Sequence, residues 1–387
     1  MDSERDKWNI NTRLNHPLEV SLLEGNRPLV GAIYQSVKYA PSDKYPMSEQ
    51  FIYSRGSNPT TRRLEMALAE LQHKEDCIVV SSGIAALTGT FLALLSSGDH
   101  VISFRELYKP SRLFIKNILS KYQVEHTFLS LLNMDELENA IKPGKTKLIH
   151  FESPSNPNLD IADIERIISV ARKHGILISM DGTFAGLHQH NQYDIDLMIH
   201  SLTKFGNGHG DVMAGSIAGS KNLIKTIREM TIYLGATPDP HSSYLLERGL
   251  KTYMLRYERQ TKNATKLAGF LVKHPKVKCV RYPGLENHRG HELAKKQMND
   301  MGAVISFEID PGVASSADQF CHMLKLIQLT ASIGSTESII CPSNTFFGQE
   351  LSPEEKMEMG LNTHSLRLSV GLEDPEDLIQ DLKDALE

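Results

Sequence analysis

The stretch CIVVSSGIAALTGTFLALL, residues 77–95, decides the fold class. Its first four residues are apolar, which is typical of a buried strand. Ser81-Ser82-Gly83 interrupt that run, and residues 84–95 continue as an apolar helical stretch. A buried strand that passes through a glycine-containing turn into a helix is the repeating unit of α/β proteins. We therefore predict an α/β fold.

Outward from this stretch, short apolar strands alternate with helical segments. The predicted strands are residues 77–80, 101–104, 148–151, 176–180, 197–200 and 212–217. The predicted helices are residues 63–72, 84–95, 112–120, 134–141 and 164–174. Such alternation predicts βαβ units and a mostly parallel sheet covered on both faces.

The chain divides into three predicted parts. Residues 1–57, punctuated by Pro17, Pro28, Pro41 and Pro46, are predicted to form an extended N-terminal arm. Residues 58–245 form the central α/β domain. A long helix over 244–259, broken at Arg248-Gly249, leads into a smaller α+β domain over 246–387. In that domain we predict strands at 277–281 and 303–309 and helices at 316–324 and 375–386.

Composition excludes several classes of function. The 387 residues carry a net charge of −5 and no basic cluster, so neither a nucleic-acid nor a membrane partner is expected. The charged residues 1–7 are unlike a signal peptide, and Cys77 and Cys321 lie in apolar stretches as buried thiols, which favours a cytoplasmic protein. His188 and His190 have no companion ligand in sequence; we interpret them as surface histidines and expect no metal.

Polar groups follow the predicted strands where those strands end. They are Ser81-Ser82-Gly83, Tyr108, Asn156, Asp181 and Ser201-Leu202-Thr203-Lys204. Taken singly, each has a commoner structural explanation, such as a helix cap, a turn residue or a solvated lysine. Ligands of open parallel sheets bind beyond the carboxyl ends of the strands, so these groups are predicted to converge.

Their combination matches the chemical needs of pyridoxal phosphate. The cofactor's aldehyde needs an amine, supplied by Lys204, and its ring nitrogen needs a carboxylate, supplied by Asp181. Its phosphate needs helix-end N–H groups and hydroxyls, as at Gly83. Ser201 and Thr203 supply those hydroxyls, Tyr108 covers the ring, and Asn156 serves the phenolic oxygen.

The segment HSLTKFGNGHGD, residues 200–211, resembles the S-x-T-K-[YF]-x-x-G-H-x-D signature of the Cys/Met-metabolism family of pyridoxal-phosphate enzymes. The resemblance extends from about Thr12 to Ala385. It implies a fold-type I, aspartate-aminotransferase-like large domain. It also implies that Lys204 binds the cofactor covalently, that Ser201 and Thr203 bind phosphate with the backbone of Gly83 and Ile84, and that Tyr108 stacks on the ring.

Two further motifs carry the resemblance. YSRGSNPT, residues 53–60, is similar to Y-S-R-x-x-N-P-T, whose tyrosine and arginine, here Tyr53 and Arg55, reach the phosphate in a neighbouring subunit. This implies a homo-oligomer, at least a dimer and typically a tetramer. RLSVG, residues 367–371, is similar to R-x-S-V-G, so Arg367 is expected to bind the substrate carboxylate, assisted by Ser332.

Three positions bear on the substrate. Members that handle cystathionine carry acidic residues where this chain has Ile52 and Ala331, and methionine γ-lyases carry a cysteine where it has Pro110. Apolar side chains desolvate a distal ammonium group without pairing it, which disfavours cystathionine. We therefore predict γ-elimination on a γ-substituted amino acid such as methionine or homocysteine. The alternative is γ-replacement on an O-acylated homoserine by a thiol.

The expected roles follow. Lys204 removes the Cα proton as general base, Arg367 orients the substrate, and Tyr108, its phenol pKa lowered by nearby cations, donates a proton to the leaving group. Two other interpretations stay open. One is a cofactor-binding protein without catalysis, and the other is a different fold-type I enzyme, against which residues 53–60 argue.

Overall fold

The computed structural model describes residues 5–16 and 29–387. Residues 1–4 and 17–28 of the predicted arm, including Pro17 and Pro28, lie outside the described residues. The chain forms two compact units: unit 1 comprises residues up to Leu95 together with Asp196–Met254, and unit 2 comprises Ser96–Ile195 and Leu255–Glu387. The predicted division at residues 57 and 245 stays a prediction.

The described residues form twelve strands and thirteen α-helices. The strands are β1 (Asp76–Val80), β2 (His100–Phe104), β3 (Glu125–Leu129), β4 (Thr146–Glu152), β5 (Leu177–Asp181), β6 (Leu197–Ser201), β7 (Gly215–Gly219), β8 (Val277–Arg281), β9 (Val304–Ile309), β10 (Gln328–Leu329), β11 (Ile339–Pro342) and β12 (Ser365–Ser369). The helices are α1 (Ile10–Asn15), α2 (Pro59–Leu71), α3 (Gly83–Leu94), α4 (Lys109–Leu113), α5 (Ile164–His174), α6 (Lys221–Leu234), α7 (Pro240–Leu250), α8 (Tyr253–Leu271), α9 (His291–Gln297), α10 (Ala317–Cys321), α11 (Ser343–Phe347), α12 (Pro353–Glu358) and α13 (Pro375–Leu386).

In unit 1, β7 pairs antiparallel with both β1 and β6. Strands β1 and β6 therefore run in the same direction, and their carboxyl ends lie at the same edge. Residues of these strands pack with α3 and α6 in one apolar core that includes Ile78, Leu197, Ile217 and Ile224. Burial of such side chains contributes about 1.5–3 kcal/mol each, which fixes both helices on the strands.

In unit 2, β2 pairs parallel with β3 and β4, and β4 pairs parallel with β5. The predicted parallel pairing is confirmed for β2, β4 and β5, the three of these strands that were predicted. The C-terminal region of this unit holds a second sheet in the order β10-β11-β12-β9-β8. Its core contains Leu267, Phe307, Phe320, Leu368 and Leu382, which join this sheet to α8, α10 and α13.

Local capping explains several boundaries. Helix α5 begins after Asp163, whose side chain accepts the Arg166 N–H, and ends at Gly175, which adopts φ +63°. Asp and Gly are favoured at these two positions because they satisfy free N–H groups and tolerate the left-handed conformation. Helix α3 begins after Ser82, whose hydroxyl accepts the Ala85 N–H at 3.1 Å.

Some sequence predictions were wrong in detail. The helix predicted at 134–141 is only a 3₁₀ turn over Met134–Glu136. The long helix predicted at 244–259 breaks between α7 and α8, beyond Gly249. Strand β7 begins and ends later than the predicted 212–217. Strand β3 was missed because its residues Glu125, His126 and Thr127 are polar and only partly buried.

The minor expectations had mixed outcomes. Cys77 and Cys321 are buried free thiols, as predicted. His190 is 1% exposed and His188 is largely buried, so their interpretation as surface histidines was wrong. Among residues 5–16 and 29–387, no cluster of three or more His, Cys, Asp or Glu is placed to hold a metal. None of the described helices has the length and apolar content needed to cross a bilayer.

Candidate active site

The first group of predicted site residues lies in unit 1 at the carboxyl ends of β1 and β6. Helix α3 begins at Gly83, directly beyond β1, and Ser201 ends β6. A Cβ atom placed on Gly83 would lie 2.7 Å from Ser201 Cβ and 3.0 Å from its Oγ. Only glycine permits this approach. Gly83 and Ile84 thus place the first N–H groups of a twelve-residue helix beside the Ser201 hydroxyl, an arrangement suited to a phosphate.

The turn after β6 fixes Thr203 and Lys204. The Ala214 N–H donates to Thr203 Oγ1 at 3.0 Å, and the Lys204 N–H donates to the Ser201 carbonyl at 3.2 Å. The Gly208 N–H closes the turn on the Lys204 carbonyl at 2.8 Å. Lys204 is half-buried. The backbone of the lysine is therefore fixed three residues after Ser201 in the chain.

The second group lies in unit 2, where Asp181 ends β5. Its Oδ1 accepts the Thr183 N–H at 2.9 Å. Burial raises the pKa of the Asp181 carboxyl, while hydrogen bonds from Thr183 lower it. A partly desolvated carboxylate with few donors is well suited to pair with a protonated ring nitrogen.

Arg367 lies on β12, between β11 and β9, and not at a sheet edge. It is 4% exposed and donates to Asn156 Oδ1 at 2.8 Å and to the Ser332 carbonyl at 3.1 Å. Its Nε is buried and has no hydrogen-bond partner among the described residues. The structure thus brings Asn156, Ser332 and Arg367 together and leaves guanidinium capacity for an anion.

Two aromatic side chains flank this arginine. The Phe347 ring centroid lies 4.2 Å from Arg367 Cζ, and that of Phe184 lies 5.5 Å from it. Both rings are buried. Phe347 was not predicted as a site residue, because α11 is 20 residues away from Arg367 in sequence and only the pairing of β11 with β12 brings them together.

Tyr108 stands just before α4 with its side chain 45% exposed. Its backbone N–H donates to Glu152 Oε2 at 2.9 Å. Burial raises the pKa of the Tyr108 phenol, and this outweighs the lowering effect of Arg367. The predicted lowering of this pKa was therefore wrong for the protein without its cofactor.

Arg112 is a second residue that sequence reasoning missed. It is 6% exposed and donates to the carbonyls of Arg105 and Leu107, on the segment that leads to Tyr108. It also donates to the Phe347 carbonyl at 3.2 Å and forms an ion pair with Glu350. Arg112 therefore joins the Tyr108 segment to the segment that places Phe347 beside Arg367.

Tyr53 and Arg55 lie on the surface of unit 1. Tyr53 is 43% exposed, and Arg55 Cζ lies 4.8 Å from its ring centroid. The neighbouring bridge between Lys38 and Tyr53 holds this part of the arm in an extended conformation. Both side chains are thus accessible to another molecule, which their predicted role in a neighbouring subunit requires.

Each of the two groups, taken by itself, fits a part of pyridoxal phosphate or its amino-acid substrate. The close approach of Gly83 to Ser201 forms a cradle that a Cβ would fill, Asp181 is a partly desolvated carboxylate, and Arg367 Nε has no described partner. Ser201, Thr203, Gly83 and Ile84 would hold the phosphate. When bound, the cofactor supplies an electron sink for negative charge that develops on an amino-acid substrate.

Known proteins share this sequence and fold. The chain is 40% identical to the L-methionine gamma-lyase of Fusobacterium nucleatum subsp. polymorphum over 342 residues, which cover 87% of this chain and 86% of that protein. It is 38% identical to the chloroplastic cystathionine gamma-synthase 1 of Arabidopsis thaliana over 346 residues, or 89% of this chain and 61% of that one.

A solved structure extends the comparison. The putative O-acetylhomoserine (thiol)-lyase of Campylobacter jejuni, solved with N'-pyridoxyl-lysine-5'-monophosphate at position 205, superposes with a TM-score of 0.90 at 31% identity. The superposition covers 98% of this chain and 100% of the Campylobacter jejuni chain. The family model described as Cys/Met metabolism PLP-dependent enzyme matches residues 24–387. The chain therefore belongs to the Cys/Met-metabolism family of pyridoxal-phosphate-dependent enzymes, and it has the α/β fold of that family.

Proposed function

We propose that this enzyme catalyses γ-elimination on a γ-substituted L-amino acid such as methionine or homocysteine, releasing an α-keto acid, ammonia and the leaving group. The apolar setting of the carboxylate site carries the proposal. Phe184 and Phe347 flank Arg367, and Ala331 directly precedes Ser332, whose carbonyl Arg367 binds. An apolar neighbourhood favours a thioether or thiol side chain over one that ends in an ammonium group.

Each residue of the two groups has a defined role in this proposal. Lys204 would hold the cofactor aldehyde, and its free amine would take the proton from the substrate Cα. Asp181 would keep a proton on the ring nitrogen, and Asn156 would donate to the phenolic oxygen. Arg367 binds the substrate carboxylate, which fixes the Cα–H bond for abstraction. Tyr108 gives a proton to the leaving group, because its raised pKa keeps the phenol protonated at neutral pH.

γ-Replacement is the second candidate. The 38% identity to a plant cystathionine gamma-synthase supports it, as does the segment Tyr108-Lys109-Pro110-Ser111, which resembles the plant enzymes. The same general base, proton donor and carboxylate site serve both reactions, since they differ only in whether water or a thiol ends the sequence.

A substrate panel tests the proposal. The purified holoenzyme is incubated with methionine, homocysteine, cystathionine, and O-acetyl- or O-succinylhomoserine, each with and without cysteine. We expect keto acid and ammonia from methionine or homocysteine without any thiol. Rapid formation of cystathionine with little keto acid would show that the enzyme is a γ-replacement transferase.

We also propose that the protein is a cytoplasmic homotetramer built from dimers with shared active sites. Several large apolar side chains of residues 29–53 are exposed, among them Leu29, Val37 and Met47, and surfaces of this kind are typical of subunit contacts. Tyr53 and Arg55 would reach the neighbouring phosphate. A monomer in light scattering, or a secreted protein in cell fractionation, would contradict these assignments.

Gly83→Ala should weaken cofactor binding. The new Cβ would meet Ser201 at 2.7 Å, and overpacking of this kind costs about 1–3 kcal/mol, or roughly tenfold to hundredfold in affinity if the cofactor site takes the strain. Titration of the cofactor-free enzyme with pyridoxal phosphate measures the change. Gly269→Ala on α8 is the control: its Cβ meets nothing within 4 Å, so affinity should stay unchanged. Equal affinities of the two variants would refute the phosphate cradle.

Asp181→Asn should stabilise the cofactor-free protein at neutral pH and slow catalysis by the holoenzyme. Burial raises the pKa of Asp181, so the ionised carboxyl lowers the free energy of unfolding of the cofactor-free protein at neutral pH. The lost stability is recovered only as the pH falls through the raised pKa. We expect the variant to melt at a higher temperature than the wild type at pH 7, with the difference shrinking towards acidic pH. The holoenzyme should lose about 10²–10³-fold in kcat, since the ring nitrogen loses its counter-charge.

A further inference from the structure

A second carboxyl group lies beside Asp181 in unit 2. Glu152 ends β4 and is in register with Asp181 at the end of β5. In-register residues of neighbouring strands place their side chains on the same face of a sheet. Glu152 is only 2% exposed. Two ionised carboxylates at such a position repel one another in a poorly solvated setting, which favours the state in which one of them is neutral.

Glu152 has a defined partner. Its Oε2 accepts the backbone N–H of Tyr108 at 2.9 Å. The segment just before Tyr108 is held separately by Arg112, through the carbonyls of Arg105 and Leu107. The phenol of Tyr108 stays 45% exposed. The Glu152 contact thus fixes the main chain from which the exposed phenol extends.

We propose that Glu152 is a positioning residue that fixes the Tyr108 backbone as an uncharged carboxylic acid, leaving Asp181 as the charged member of the pair. The proposal depends on the function proposed above in one respect, namely that Tyr108 is the proton donor. An acceptor oxygen is needed at this position, whereas a second negative charge is not.

The electrostatics agree with this division. Burial, and next the neighbouring Asp181, raise the pKa of Glu152 well above its ordinary value, although the Tyr108 N–H lowers it. Asp181 also has a raised pKa, but it receives two compensating hydrogen bonds from Thr183. Asp181 is therefore the member of the pair that ionises more readily, and a cationic ring nitrogen would favour this further.

Hydrogen exchange of the cofactor-free protein tests the contact without any activity. In Glu152→Leu, the Tyr108 amide should exchange about tenfold faster, because it loses its acceptor. Glu152→Gln keeps an acceptor oxygen and should exchange like the wild type. In the control Glu106→Leu, the Leu131 amide should be affected instead, since it donates to Glu106 at 3.0 Å. An unchanged Tyr108 amide in Glu152→Leu, or a Glu152→Gln variant as fast as Glu152→Leu, would overturn the proposal.

A double-mutant cycle tests the route of action. We expect Glu152→Leu to lower kcat on the order of hundredfold with little change in KM, and Glu152→Gln to stay within about twofold of wild type. In a Tyr108→Phe background, adding Glu152→Leu should lower kcat by less than about a further threefold, because the hydroxyl that Glu152 positions is already absent. Fully additive losses would show that Glu152 does not act through Tyr108.

The two proposals fail in distinguishable ways. A holoenzyme that turns over no γ-substituted amino acid contradicts the proposed function, while amide exchange still decides the role of Glu152. If Glu152→Leu does not fold, Glu152→Ala removes the same acceptor with less bulk, and the Glu152→Gln comparison holds in either case. A large loss in Glu152→Gln would mean that the charge of Glu152 matters.

Discussion

Lys204→Ala should lose the visible absorbance of the lysine-bound cofactor and essentially all activity. The variant has no amine to join the cofactor aldehyde and no base to remove the Cα proton, and general-base catalysis alone contributes about 10²–10⁴-fold. The turn from Ser201 to Gly208 fixes the Lys204 backbone through two hydrogen bonds, and it contains no second lysine that could replace it. Absorbance spectra and single-turnover rates measure both losses.

Matched variants separate this role from general effects of losing a lysine. Lys225→Ala removes an exposed lysine on α6 of the same unit and should leave spectrum and rate unchanged. Borohydride reduction of the wild type, followed by peptide mass spectrometry, should place the pyridoxyl group on Lys204. Absorbance in Lys204→Ala that survives dialysis, with a labelled peptide from another part of the chain, would assign the role to a different lysine.

The elements that the sequence predicted best carry their boundary signals locally. Helices α5 and α13 span the predicted residues because Asp163, Gly175 and Asp374 mark helix ends irrespective of the rest of the fold. Strand β8 also matches its predicted bounds. The break after α7 was misplaced because Gly249 was interpreted as a helix breaker. Its hydrogen atom instead permits close approach of the Asn207 carbonyl, 2.6 Å from the position a Cβ would take.

The residues of the candidate site also divide into those indicated by local sequence and those that depend on the fold. Lys204, Asp181 and Arg367 stand in motifs whose spacing is local, so the sequence identified them. Glu152 was not identified from the sequence, because its relation to Asp181 depends on the register of β4 with β5. The contacts of Arg112 with Phe347 and Glu350 span more than 230 residues, and no pattern along the chain indicates them.

Arg367→Ala should raise KM for amino-acid substrates by about 10²–10³-fold, with a further loss in kcat. Loss of one partner of a buried charge pair costs about 2–5 kcal/mol, and the substrate carboxylate would lie unpaired beside Phe347. Arg367→Lys keeps the charge but cannot bind two oxygens in parallel, so it should recover only part of the loss. Steady-state kinetics with methionine or the best substrate of the panel measure these changes.

The control for Arg367 uses another arginine of the same sheet. Arg281 ends β8, and one of its guanidinium nitrogens also has no hydrogen-bond partner among the described residues, yet it has no predicted contact with substrate. Arg281→Ala should leave KM unchanged. A substrate amide, which lacks the carboxylate, should react equally poorly with wild type and Arg367→Ala. Suppose that the wild type still turns over the amide about 10²–10³-fold better than Arg367→Ala. The missing carboxylate could not account for that difference, so Arg367 would act by holding Asn156 and Ser332 in place.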